Sequence, residues 1–223
     1  MAHIPDGVLS VPVLAGGAVL AVAGIGYGLR RTGEEEIPKV AILACGFFAV
    51  SLVAIPVGPS SVHLLLSGLM GLMIGPAVFP AVFVGLVLQA LLFGFGGLTT
   101  LGVNTVNIAL PGLVCGVLLK PLLRGASPAK AGAVGALAGM ACVGLTGGLV
   151  AAALALSSSE FVPSARIILL TYVPLAVGEA LVTGFAVAFL ARVRPEALAG
   201  YAPVPEMAPA VAPSVGAVAG RRP

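Results

Sequence analysis

Long apolar runs separated by short polar punctuation make up most of this chain. They cover residues 10–29, 40–57, 79–94, 105–123, 131–156 and 167–191. Each reaches or approaches the roughly 20 helical residues needed to cross a hydrocarbon core of about 30 Å. A shorter run, residues 63–74, predicts a tilted or broken crossing. The pattern therefore predicts an all-α integral membrane protein, a bundle of about seven transmembrane helices.

The basic residues give that bundle a direction. Arg30, Arg31 and Lys39 fall between the first two runs, Lys120, Arg124 and Lys130 between the fifth and sixth crossings, and Arg192 and Arg194 after the last. Bases near span ends stay on the cytoplasmic side. These eight share one side only if the number of crossings is odd, with the amino terminus extracytoplasmic and the C-terminus cytoplasmic. Composition agrees with a membrane chain: of 223 residues, 59% are hydrophobic and 9% charged. The net charge of +3 comes from topology-setting bases and two tail arginines, and gives nucleic acid binding no support. Residues 1–194 read as one membrane domain. Residues 195–223, rich in Pro, Ala and Val without helical or strand period, read as a disordered cytoplasmic tail.

Candidate chemistry concentrates near the amino terminus, in His3-Ile4-Pro5-Asp6-Gly7. A histidine beside a chain end can offer one ion a terminal amine, a deprotonated amide and an imidazole in fused chelate rings. That nitrogen-rich set suits tetragonal Ni(II) or Cu(II) and is acceptable to Co(II). His63 is the only other histidine, and the expected topology puts both on the outer face, where they could complete four nitrogen donors. Pro5 fixes its own backbone and biases Ile4 towards extended conformations, so Pro5-Asp6-Gly7 predicts a tight turn back to the first span. The Gly- and Thr-rich residues 93–104 lack any period and predict a re-entrant or interfacial loop lining a site. Its candidate contacts are Gly96, Gly97, Thr99 and Asn104; Asn104 and nearby Asn107 would bond either to that loop or across helices. Gln89 and Glu179 are polar groups inside apolar runs and hence functional candidates. Glu179 is read as a support for the amino-terminal loop or as a cytoplasmic partner contact, and not as a ligand. Cys45, Cys115 and Cys142 sit in apolar runs without metal-ligand spacing and read as packing residues. Glycine pairs four apart, at 24/28, 71/75, 112/116, 135/139 and 144/148, predict close helix contacts.

Three motifs in order, His3-Ile4-Pro5-Asp6-Gly7, Ser61-Val62-His63-Leu64 and the stretch from Leu88-Gln89 through Gly96-Gly97-Leu98-Thr99-Thr100 to Asn104, closely resemble the CbiM/NikM family. Its members are the substrate-capturing membrane subunits of energy-coupling-factor transporters for cobalt and nickel. The likeness runs to about Arg194. It implies a seven-span bundle whose amino terminus tucks into an outer cavity. It also implies an ion held by the terminal amine, the amide and imidazole of the next histidine, and a second imidazole. On this chain those are His3, His63 and the terminal residue. That residue is Ala2 if Met1 is removed and Met1 if it is retained, and removal restores the family spacing. The ion, Ni(II) favoured over Co(II), is cargo; no catalytic residue and no resident cofactor is implied. The resemblance further implies a prokaryotic cytoplasmic membrane and, through the cobalt branch, a link to cobalamin biosynthesis. It implies three partners: a membrane coupling subunit (CbiQ/NikQ-like), a cytoplasmic ATPase (CbiO/NikO-like) and a small accessory membrane subunit (CbiN/NikN-like). Phe95 stands where many relatives carry histidine, which points to steric sealing by the loop.

The chain has no Gly-x-x-x-x-Gly-Lys-Ser/Thr phosphate loop, so an active importer would draw its energy from partners. A stand-alone channel or secondary permease is the alternative, with few intramembrane carboxylates to relay protons. A membrane enzyme ranks below both, because no nucleophile, base and orienting group are recognisable together.

Overall fold

The computed structural model describes residues 3–53, 55–57 and 60–198, those at 55–57, 60–62 and 164–168 by backbone only. Met1, Ala2 and the tail past Leu198 lie outside the described residues. Seven helices follow in order: α1 (Val11–Arg31), α2 (Ile37–Ser51), α3 (Ser67–Ile74), α4 (Val78–Phe93), α5 (Leu101–Leu119), α6 (Pro128–Ser157) and α7 (Val162–Val193). Proline in the first turn starts α1, α2, α6 and α7, where its missing N–H costs nothing. Among the described residues, five stretches are long and apolar enough to cross a membrane: Val11–Arg31, Ser67–Phe93, Leu101–Leu123, Pro128–Ser157 and Leu169–Val193. At 15 and 8 residues, α2 and α3 fall short by themselves. Residues such as Val19, Val22, Leu91, Leu181 and Phe185 turn outward, which suits lipid contact.

Two of the expected runs are only partly helical. The run at 40–57 stops being helical at Ser51, and β1 (Ile55–Val57) pairs antiparallel with β2 (Ser60–Val62), with Pro56 opposite Ser61. Pro56 disfavours the helical region for Ile55, and an extended hairpin takes over. In the run at 63–74 only Ser67–Ile74 is helical, after an extended stretch that ends at Leu66 with φ +50°. Gly75, at φ +51° and ψ −124°, then reverses the chain into α4. As a result His63, ahead of α3, and Gln89, late on α4, both arrive beside His3.

Close helix contacts depend on glycine. The Cβ of a side chain at Gly112 would lie 2.6 Å from the Ser67 carbonyl oxygen, so α3 and α5 meet backbone to backbone. Gly24, Gly28, Gly135 and Gly139 likewise face neighbouring helices, whereas Gly144 and Gly148 meet nothing within 4 Å and Gly75 serves the turn. The 21 residues of α1 separate its two ends by about 31 Å. At one end Ser10 N–H donates to the Ser157 hydroxyl at 3.1 Å. At the other, Arg31 and Lys120 line a cavity beside Met73, whose carbonyl accepts from Lys39 Nζ at 2.8 Å. Residues 195–197 form one further short turn, and Leu198 is buried in the main core.

Candidate metal site

The amino-terminal segment enters the bundle as an extended strand and is held there by α5. Asn104 pairs with the backbone of Ile4 on both sides: its Oδ1 accepts from Ile4 N–H at 3.0 Å and its Nδ2 donates to Ile4 C=O at 3.0 Å. The Thr100 hydroxyl donates to the same carbonyl at 2.7 Å. Ile4 and Leu9 pack with Val103, Val150, Ala153 and Leu154, and the expected turn follows at Asp6-Gly7, with Gly7 at φ +81°. Pro5 is exposed.

This anchoring delivers His3 to His63. Both are buried, their ring centroids are 4.9 Å apart, and their Nε2 atoms lie 3.1 Å apart. The tautomers follow from the partners. His63 Nδ1 is 2.9 Å from the Leu64 carbonyl, which can only accept, so the proton sits on Nδ1 and Nε2 keeps a lone pair. His3 Nε2 therefore carries the proton between the rings. That leaves His3 Nδ1 bare, buried and without a hydrogen-bond partner. Burial, with His63 alongside, pushes the His3 imidazole down to about 3; burial also lowers His63, against the pull of the Leu64 carbonyl. Both rings are neutral at physiological pH, as metal coordination requires.

The 94–100 loop closes the site from above. Gly96, at φ +77°, packs so near that a Cβ there would be 3.4 Å from His3 Cβ. Asp6 straps the loop down, accepting from Thr99 N–H at 2.9 Å and Leu98 N–H at 3.1 Å and from the Thr99 hydroxyl. Thr99 holds the exposed Asp6 carboxyl below its usual range. A side chain on Gly97 would collide with the Asp6 carboxylate. Phe95 stacks on Phe93 at 5.8 Å.

Gln89 and Glu179, the two polar groups within apolar runs, lie respectively beside His3 and against the backbone that follows His63. Gln89 Nε2 donates to the Ser51 hydroxyl at 2.6 Å, and its Oε1 lies near the His3 ring but completes no hydrogen bond. Glu179 Oε2 accepts from Leu65 N–H at 2.8 Å. Thr100 was missed because nothing in the sequence separates it from Thr99. Asn107 is buried with its Nδ2 unpartnered and makes no hydrogen bond to the amino-terminal segment. Cys45 is exposed, while Cys115 and Cys142 are buried and free. Among the described residues no group of three His, Cys, Asp or Glu forms a metal cluster, so the site is a histidine pair.

The model for the cobalt uptake substrate-specific transmembrane region, CbiM, matches residues 3–197. The chain belongs to the CbiM family. CbiM relatives include a putative metal transport protein of Haemophilus influenzae, 37% identical over 198 residues that make up 88% of this chain and 96% of that one. The fused nickel transport protein NikMN of Rhodobacter capsulatus is 34% identical over 49% of this chain and 33% of its own length. A putative fused cobalt transport protein CbiMQ of Methanocorpusculum labreanum is 31% identical over 87% of this chain and 36% of its own. The fold is shared with a crystal structure of a truncated transition metal transporter, at a TM-score of 0.68 and 21% identity, covering 85% of this chain and 98% of that one. This CbiM chain is thus a multi-pass membrane protein of a metal transport family, whose model is named for cobalt uptake and whose relatives bear the names of transport proteins rather than enzymes.

Proposed function

We propose that this chain is the substrate-capturing component of an ATP-driven energy-coupling-factor importer, and that it binds its cargo ion at the His3–His63 pair. The observation that carries this reading is the bare Nδ1 of His3. An imidazole closes a six-membered chelate ring with its own residue's amide nitrogen through Nδ1, and that atom is buried, neutral and unpartnered. His63 Nε2 supplies a second lone pair alongside. With no third acidic, thiol or imidazole group in the cluster, the remaining donors are the His3 amide nitrogen and the chain's terminal amine, on Ala2 or Met1.

Four nitrogens including an ionised amide make a strong-field tetragonal set, which favours Ni(II) over Co(II). The gathering of Arg31, Lys39 and Lys120 at the end of the bundle remote from His3 supports an extracytoplasmic site in a prokaryotic cytoplasmic membrane. Counting α2 and the reversed α3 as passes makes the bundle seven-spanning. The names NikMN and CbiMQ support an accessory N-type and a coupling Q-type membrane partner, and a separate ATPase completes the importer. A stand-alone channel fits less well, because the 94–100 loop closes over the site.

The test is calorimetry with Ni(II) and Co(II) on protein tagged at either end, with the mature terminus read by mass spectrometry. A tag before His3 replaces the amine with an amide and should abolish tight binding, as should His3→Ala or His63→Ala, whereas a tag after Pro223 should not. Equal Ni(II) affinity in both tagged forms would refute the amine's part. Unchanged affinity in His63→Ala alone would leave a purely terminal chelate.

A further inference from the structure

We infer that Glu179, on α7, is the positioning residue for His63. It grips the backbone that follows the histidine and fixes where the imidazole Nε2 stands; this rests on the His3–His63 pair being the ion site. The segment from His63 to α3 has no means of its own to hold its shape. Helix α3 starts after Leu66, a residue with no side-chain oxygen to cap the first N–H groups, and no side-chain cap is present. Leu66 also lies at φ +50°, a conformation that a branched apolar residue adopts only when its surroundings impose it.

An anchor for this segment comes from another helix. Glu179 Oε2 accepts from Leu65 N–H at 2.8 Å, across 114 positions of sequence, and the Leu66 amide also faces the carboxylate. Gly139 lets α7 come close enough to α6 for this: a Cβ there would be 2.7 Å from the Glu179 carbonyl oxygen. Glu179 is fully buried and its Oε1 has no hydrogen-bond partner, so the Leu65 and Leu66 amides are what this carboxyl group has in exchange for water.

The geometry reaches His63 over two residues. The next link after Leu65 is the Leu64 carbonyl, which accepts from His63 Nδ1 at 2.9 Å and so sets both ring orientation and tautomer. Glu179 orders Leu65 and Leu66, these place the Leu64 carbonyl, and that carbonyl aims Nε2 at His3. Metal–nitrogen distances tolerate a few tenths of an ångström at most. Release of Leu65 would let the peptide plane of Leu64 rotate and misdirect the ring.

The experiment compares Glu179→Leu, which keeps size without an acceptor, with Glu179→Gln, which keeps an acceptor oxygen without the charge. Three measurements are made on the full chain in detergent: Ni(II) affinity, the ligand-field absorption of bound Ni(II), and amide hydrogen exchange of residues 63–70 without metal. Glu179→Leu should lose about tenfold or more in affinity, as removal of a partner behind a metal ligand does. Its ligand-field band should shift and the Leu65 amide should exchange faster. Glu179→Gln should recover most of the affinity together with the wild-type band. A merely structural contribution would lower thermal stability without moving the band of the ion that still binds. Wild-type affinity and spectrum in Glu179→Leu would overturn the inference, and so would a Glu179→Gln no better than Glu179→Leu. If the wild-type chain bound no Ni(II), the ion-site reading would fail. The metal-free exchange would then decide the positioning role by itself: faster Leu65 exchange in Glu179→Leu upholds it and unchanged exchange overturns it.

Discussion

Asn104 is the residue whose removal should loosen the amino-terminal segment most specifically, because one side chain satisfies both backbone groups of Ile4 in a buried place. In Asn104→Ala the Ile4 carbonyl keeps the Thr100 hydroxyl at 2.7 Å, so on that side the loss is one net hydrogen bond, about 0.5–1.5 kcal/mol. The Ile4 N–H has no substitute. Left buried and unpaired, it costs about 1–3 kcal/mol. Together these give about 1.5–4.5 kcal/mol against docking, roughly a 10- to 2,000-fold shift towards the undocked segment. Amide exchange reports that shift directly, since a protected N–H exchanges through its open state. The Ile4 amide should exchange faster by that factor in metal-free Asn104→Ala, and by none in Asn107→Ala, whose side chain does not touch the segment. Ni(II) affinity should fall by whatever part of the shift exceeds the wild-type docking margin. Unchanged Ile4 exchange in Asn104→Ala would refute the reasoning.

Two further outcomes follow from the site. Gly97→Ala should spring the 94–100 loop, because the new methyl would collide with the Asp6 carboxylate and amide; protease cleavage within the loop and a loss of metal retention would show it, and wild-type resistance would not fit. Acid should undock the amino terminus even without metal. His3 ionises at about 3 when docked against 6.5 when free, so docking is at full strength above about 6.5, weakens by about 1.4 kcal/mol per pH unit below it, and levels off near 3. Ile4 exchange, corrected for intrinsic rates, should therefore rise as pH falls below 6.5, and a flat profile between 6.5 and 4 would contradict a buried neutral His3.

The membrane class and the two histidines were legible because each rests on a strong local signal. An apolar run long enough to span leaves few alternatives, and two histidines in 223 residues leave few ligands. The Asp6-Gly7 turn and the closing loop were legible from proline and glycine chemistry. What the sequence did not reveal depends on contacts between distant segments. The hydrogen bond that Glu179 accepts from Leu65 and the amide pairing of Asn104 with Ile4 span 114 and 100 positions, and no local pattern encodes either. The early end of α2 had a local cause in Pro56, outweighed in the hydropathy pattern by the apolar residues around it. The glycine spacing overreached in the opposite direction, since Gly144 and Gly148 share the pattern but face open space.

His3 and Asp6 belong to one short segment, and that fact carries a kinetic consequence. Asp6 fastens the loop that shuts the site, while His3, three residues away, is offered to the ion inside it. Door and donor are therefore one piece of chain. With His3 and His63 as the proposed ligands, the ion cannot reach a finished set and then wait for closure, because the two rings meet only when this segment is docked. On the proposed function, capture is governed by how often this segment leaves its berth, so at high ion concentration its rate should level off at that frequency whichever ion is supplied.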